Sequence, residues 1–391
     1  MKALSFSGTG GEYFKIWIVN ILLVIITLGL YYPWAKVRNN RYFYANSVLE
    51  GRNFEYHATG KQLFVGYLIA MSLFIAFVLI QNISPIGSGV VLLIFFLAIP
   101  WIIWKSLKFN LRMSSFSNVR FSFAGVISEA YVNYLYLPIA FFIAIYAVPI
   151  GAVVLISLYS EALTPLISVF IGVAVVMFLV LAFYLFAYMK KRNTSYSVNG
   201  YRFGQGIFTT NLETAEFAKI LGKTIGLWIL AIVFLLVISG LVIGIDGFAN
   251  FAEAMNESEA TSENNQSFVG TLGLMYLGFI VASLLIMAYF YSRQREYIFA
   301  NSSLDTDITL ASTLQARSLG WVMISNFILI IFSLGLAIPW AKVRMARLIL
   351  ENTLVNTDVG FDQYVTQKQE EQSSLGEQIG DAFDVDVGIG I

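Results

Sequence analysis

The chain has 391 residues and no net formal charge, with 58% hydrophobic and only 12% charged residues. That charged share is about half that of an ordinary soluble domain, which excludes a soluble globular protein. It holds no cysteine and one histidine, His57, which removes disulfides, thiolate catalysis and thiolate-held metals together.

The first apolar run, Ile16–Tyr32, follows Glu12 and has no small-residue cleavage site after it, so it reads as mature structure rather than a secretory leader. It ends in Leu28-Gly29-Leu30-Tyr31-Tyr32-Pro33-Trp34-Ala35-Lys36-Val37-Arg38. Near the other end the chain repeats this as Leu334-Gly335-Leu336-Ala337-Ile338-Pro339-Trp340-Ala341-Lys342-Val343-Arg344, with Asn20 matched by Asn326 and Arg41 by Arg347. An apolar run that stops at Pro-Trp and turns basic has the chemistry of a membrane boundary. Proline punctuates, tryptophan sits at headgroup level, and Lys and Arg snorkel to lipid phosphates. Pro33, Trp34, Pro339 and Trp340 are the expected interface anchors.

Six further runs, at 62–80, 89–104, 134–157, 165–188, 222–245 and 268–290, approach the roughly 20 apolar residues that cross a hydrocarbon core of about 30 Å. None alternates with period two over ten residues, which disfavours an outer-membrane barrel. The loops after the first, third, fifth and seventh elements are basic, whereas 81–88, 158–164 and 246–267 contain no Lys or Arg. The positive-inside rule places the basic set in the cytoplasm. A conflict follows at the two ends. Eight full crossings put Lys342, Arg344 and Arg347 outside, although they duplicate residues placed inside. The other resolution makes segments 16–33 and 320–339 re-entrant, leaving six crossings and both tails inside.

Short alternating stretches near 4–8, 54–56, 120–123, 201–203, 307–310 and 359–361 read as strands or hairpins on the basic face. The expected fold is therefore an all-α polytopic membrane protein. It has six to eight hydrophobic helices, duplicated Pro-Trp elements (16–61 and 320–361 the clearest copies) and short cytoplasmic β-hairpins. Residues 1–365 form one membrane domain, and 366–391 read as an acidic disordered tail.

Gly10-Gly11-Glu12-Tyr13-Phe14-Lys15-Ile16-Trp17-Ile18-Val19-Asn20, followed by the first Pro-Trp string, Arg41–Asn46 and His57-Ala58-Thr59-Gly60-Lys61, resembles the YjgN-like family of bacterial inner-membrane proteins. The resemblance covers roughly 5–360. It implies a multi-pass inner-membrane location, and it carries over no catalytic residues because the family's function is unknown.

Among candidate sites, the six long runs hold no ionisable residue at their centres, which disfavours coupled transport through a buried carboxylate. Asn20 and Asn326 form the candidate intramembrane polar pair. They read as a solute or ion site between broken segments, or as helix–helix hydrogen bonds worth about 0.6 kcal/mol. Lys36, Arg38, Arg41, Lys342, Arg344 and Arg347 are candidate contacts for anionic lipid headgroups, or ordinary inside anchors worth about 1 kcal/mol each. His57, with only Glu55 nearby, reads as structural. The acidic loop at 246–263 reads as solvated rather than cation-binding. No nucleotide loop, nucleophile context or metal spacing appears, so no catalytic residue, cofactor or metal is expected, and no nucleic-acid partner. The leading functional expectation is a permease for a small or amphiphilic solute. Its alternative is a non-transporting protein that binds lipid or a partner and supports the envelope.

Overall fold

The computed structural model describes residues 1–159, 165–256, 264–305, 308–357 and 363–371. Its helices come in five antiparallel pairs, each leaving from and returning to one β-sheet. The first pair is α1 (Gly10–Ile26) and α2 (Tyr32–Ala45), and the second α3 (Gly60–Ile83) and α4 (Pro85–Arg112). The third begins with α5 (Ile127–Tyr131), passes through a π-helical turn (Val132–Tyr136) into α6 (Leu137–Tyr159), and returns as α7 (Pro165–Gly200). Helices α8 (Thr214–Asn256) and α9 (Asn264–Ala300) form the fourth, and α10 (Ala316–Phe332) and α11 (Ile338–Glu351) the fifth. A short helix α12 covers 363–371.

Eleven strands link the pairs: β1 (Lys2–Ala3), β2 (Ser5–Phe6), β3 (Ser47–Leu49), β4 (Arg52–Tyr56), β5 (Ser114–Phe116), β6 (Val119–Phe123), β7 (Tyr201–Phe203), β8 (Gly206–Thr210), β9 (Ser302–Leu304), β10 (Ile308–Ser312) and β11 (Thr353–Thr357). They lie in the order β1-β11-β10-β9-β8-β7-β6-β5-β4-β3-β2, every neighbour antiparallel. The two end strands are joined by one residue, Leu4, whose N–H donates to the Thr353 carbonyl at 3.0 Å. The sheet is thus closed into a ring by the chain itself, which removes its free edges. An all-α description omits this ring. The strands foreseen singly are there, and 359–361 lies outside the described residues. Two-residue turns at Glu50-Gly51 and Ser117-Asn118 have positive φ throughout, the twist that tight hairpins require.

The ring is filled from within. Leu4, Leu49, Phe116, Val119, Phe203, Leu304, Ile308 and Val355 form one cluster with Tyr364 and Val365 of α12. Alternate strand residues such as Asn53 and Glu55 face outward and are exposed, as the two-residue strand period dictates. The expected tail boundary at 366 therefore falls inside a seated helix; 372–391 lies outside the described residues.

Among the described residues, five helices are long and apolar enough to cross a membrane: Gly60–Ile83, Pro85–Arg112, Val169–Gly200, Thr214–Leu241 and Gly273–Ala300. The Pro-Trp elements behave differently. Helices α1 and α10 have 17 residues each, and α2 and α11 have 14, or roughly 26 and 21 Å at 1.5 Å per residue. Strands β2 and β3 flank the first pair and hydrogen-bond to each other, as β10 and β11 do around the last. Each Pro-Trp element is thus part of a helical hairpin with both ends on the sheet, and its legs are shorter than the long helices of the other pairs, as the re-entrant reading expects. Their tips are alike: Leu28-Gly29 and Leu334-Gly335 have positive φ, and Thr27 and Ser333 hydroxyls cap the next turn, accepting from the N–H of Tyr31 and Ala337.

Candidate functional site

The duplicated tryptophans sit at joints between neighbouring helix pairs. Trp34 packs on Phe64 (ring centres 5.0 Å apart) and Trp340 on Phe14 (5.1 Å). A Cβ placed on Gly60 would lie 2.2 Å from Trp34, and one on Gly10 would lie 2.2 Å from Trp340, so only glycine admits the indole. Arg41 Nη2 donates to the Ala58 carbonyl at 2.8 Å, and Arg347 Nη2 to the Gly8 carbonyl at 3.0 Å. Thr9 with Glu12, and Thr59 with Gln62, close matching capping boxes at the same helix starts. The fifth pair thus docks on the first as the first docks on the second. Pro33 and Pro339 are fully buried.

Asn20 and Asn326 are both buried, and each bonds within its own pair. Asn20 Nδ2 donates to Asn39 Oδ1 at 3.1 Å. Asn326 Nδ2 donates to the Ala341 carbonyl at 3.1 Å, while its Oδ1 accepts from Arg344 Nη1 at 3.0 Å. No hydrogen bond joins the two asparagines among the described residues. Arg38 turns to the Tyr31 hydroxyl at 3.1 Å, and Lys36 and Lys342 are exposed. His57 Nε2 meets the Ser115 hydroxyl at 2.7 Å beside Glu55.

Two clefts on the sheet side were not foreseen. The first, of about 530 Å³, lies between α4 and the β6–β7 pair and is lined by Lys105, Lys108, Arg112, Arg120, Phe121 and Gln205, with no carboxylate among the described lining residues. Lys108 Nζ lies 4.1 Å from the centre of the Trp104 ring, a cation–π contact. The second, of about 350 Å³, opens at the π-helical turn, where Arg192 Nε donates to buried Asn133 at 2.9 Å and Nη1 to the Tyr188 hydroxyl at 3.0 Å. Ala98-Ile99-Pro100-Trp101 at the head of the basic stretch of α4 repeats Ala337-Ile338-Pro339-Trp340, and Pro100 is likewise fully buried. This third Pro-Trp string was visible in the sequence and would have marked α4.

At the open end of the ring, the Tyr364 hydroxyl donates to Asp305 at 2.8 Å and Lys368 Nζ lies 3.3 Å from the same carboxylate. Burial pushes the Asp305 carboxyl up, but the Ile207 N–H, Tyr364 and Lys368 outweigh it and hold it below the usual carboxylate range.

Among the described residues, five helices long and apolar enough to cross a membrane, hung on a closed sheet, define a multi-pass membrane protein. The chain belongs to the family described as "Bacterial protein of unknown function (DUF898)", whose model matches residues 1–382. It is 29% identical over 361 residues to the Inner membrane protein YjgN of Salmonella typhimurium, covering 91% of this chain and 89% of that one. It is 28% identical over 392 residues to the protein of the same name from Escherichia coli K12, covering 95% and 92%. No solved structure matches.

Proposed function

We propose that this is an inner-membrane protein that takes up an anionic amphiphile, with the acyl part among the spanning helices and the head on the basic sheet side. The observation that carries this reading is the cleft of Lys105, Lys108, Arg112 and Arg120 at the foot of α4. A second supports it. Large apolar side chains are exposed on opposite faces of single helices: Val65 and Phe74 of α3, Ile225 and Phe234 of α8, Tyr276 and Leu285 of α9. Each pair is nine residues apart, half a revolution at 3.6 residues per turn. One such face suits the bulk bilayer; the other leaves apolar surface for a bound chain. The sheet side is then cytoplasmic by its positive charge, matching the inner-membrane names of the relatives.

Mass spectrometry of the delipidated, folded protein is expected to show retained anionic lipid in fixed stoichiometry. A lipid-free protein that stays folded overturns the reading. Passage of the amphiphile across the membrane is the second reading. It is favoured because the helices pack in chain order around the ring, α11 on α1, α2 on α3, α4 on α5, α7 on α8 and α9 on α10. A fluorescent-lipid translocation assay in proteoliposomes tests it; equal rates with and without protein sink it.

A further inference from the structure

Five backbone hydrogen bonds recur around the ring, one per helix pair. The N–H just before each first helix donates to the carbonyl that ends the second: Ser7 to Asn46, His57 to Met113, Ala124 to Gly200, Asn211 to Asn301 and Thr313 to Asn352, at 2.7–3.2 Å. These carbonyls give the five second helices a common origin. Counting back 13 residues reaches Pro33, Pro100, Ala187, Ala288 and Pro339, all buried. Counting back 12 reaches Trp34, Trp101, Tyr188, Tyr289 and Trp340, and counting back eight reaches Arg38, Lys105, Arg192, Arg293 and Arg344. Between the buried position and the carbonyl, no other position is basic in all five helices. The Pro-Trp string thus accounts for three of the five copies of the pattern, with Ala-Tyr replacing Pro-Trp in the third and fourth pairs.

Each cation stands one helical turn after its aromatic, and in three pairs the two touch. Lys105 Nζ lies 5.8 Å from the Trp101 ring, the Arg293 guanidinium 6.0 Å from that of Tyr289, and Arg192 bonds to Tyr188. Arg344 is turned toward Asn326 and Ser325, and Arg38 toward Tyr31. Arg293 shares its charge with Glu296 at 2.8 Å. A guanidinium carries five donors, so these contacts orient each head and leave donors over. Rings of Arg and Lys are the means by which membrane proteins select phosphate-type anions, and an indole or phenol one helical turn before each cation is suited to the glycerol and acyl start of a lipid.

We propose that Arg38, Lys105, Arg192, Arg293 and Arg344 form a girdle of five equivalent sites for phosphate-bearing anions, each with its aromatic neighbour. This deepens the amphiphile reading and rests on it. The test uses the full chain in neutral-lipid nanodiscs, with the intrinsic fluorescence of Trp34, Trp101 and Trp340 as reporters. Brominated phosphatidylglycerol is the lipid probe, brominated phosphatidylcholine its uncharged control, and inorganic phosphate a competitor.

In the wild type the anionic lipid is expected to quench at concentrations at least tenfold lower than the neutral one. Replacing all five cations by Gln removes that preference, whereas the five-Lys variant keeps it. Lys15→Gln with Lys61→Gln, exposed at the starts of α1 and α3 and outside the girdle, changes it less than twofold. Competition by inorganic phosphate identifies a free-anion site, and its absence a headgroup site; either is a phosphate site. Equal losses from the girdle and the Lys15/Lys61 variants overturn the proposal, because charge alone then suffices. So does a preference that survives in the folded five-Gln variant. Lipid retention with no anionic preference in the wild type sinks the girdle and leaves the amphiphile reading. A folded protein that retains no lipid sinks both.

Discussion

Adding one methyl group at Gly60 tests the joint between the first two helix pairs. The new Cβ would stand 2.2 Å from the Trp34 ring, against the roughly 3.5 Å at which carbon atoms rest, so one partner must move by about 1.3 Å. Overpacking of this size costs about 1–3 kcal/mol. Alanine returns up to about 1 kcal/mol as a better helix former than glycine. Gly60→Ala is therefore expected to lose roughly 0–3 kcal/mol in the wild-type background and to gain up to about 1 kcal/mol where Trp34→Leu has removed the ring. The coupling of the two changes, about 1–3 kcal/mol, is what the clash predicts. It is read by reversible unfolding in mixed detergent–SDS micelles followed by circular dichroism. Gly10→Ala with Trp340→Leu must behave alike, since its contact is the same. An effect of Gly60→Ala that is unchanged by Trp34→Leu would refute the reasoning, because it would then owe nothing to the indole.

Three more outcomes are open to measurement. Asn20 holds its pair through one Asn39 contact, so Asn20→Leu should cost about 0.6 kcal/mol. Asn326→Leu deprives both the Ala341 carbonyl and Arg344 and should cost about 1–3 kcal/mol; equal losses in SDS unfolding would sink this contrast. The Asp305 carboxyl titrates below its unfolded value, so its hold on α12 is complete at neutral pH and is lost as pH falls through the folded pKa. A cysteine at buried Val365 should accordingly resist maleimide at pH 7, and more readily so than in Asp305→Asn; equal labelling of the two proteins contradicts the contact. Single cysteines at Ser7, Asn53 and Ile86 in intact cells should give label at Ile86 alone, since β2, β3 and β4 share one sheet and Ile86 starts α4 at the other end. Label on Ser7 or Asn53 without the other would contradict the re-entrant first pair.

The sequence made the membrane class, the long runs and the re-entrant option legible, because hydrophobic length and loop charge report on the bilayer directly. Individual strands were also legible from alternation at 54–56 and 120–123. Their closure was not. It depends on Lys2 pairing with Val355, a contact between the chain's extremes with no local signal. The π-helical turn at 132–136 straddles the start of the apolar run at 134, where a one-residue change of helical period leaves no mark in the sequence pattern. Three of the girdle cations are legible in the sequence, since Arg38, Arg293 and Arg344 each stand eight residues before an asparagine, Asn46, Asn301 and Asn352; Lys105 and Arg192 are not, because Met113 and Gly200 replace that asparagine, and the fivefold hydrogen bond supplies their alignment. The seat of α12 was hidden by composition, since Tyr364 and Val365 are two apolar residues beside a polar tail.

Closing the ring through Leu4 has a consequence for biogenesis. The first strands made, β1 and β2, pair with β11 and β3. During synthesis β2 can join β3 early, but β1 must wait for Thr353–Thr357, almost the whole chain later. Until then the growing arc presents two unpaired edges, the kind of surface that templates wrong partners. A ribosome that stops short of residue 353 would leave a membrane-inserted arc with every spanning helix in place and both edges open. Such an arc stays open to wrong pairing at both edges until β11 joins β1 and β10.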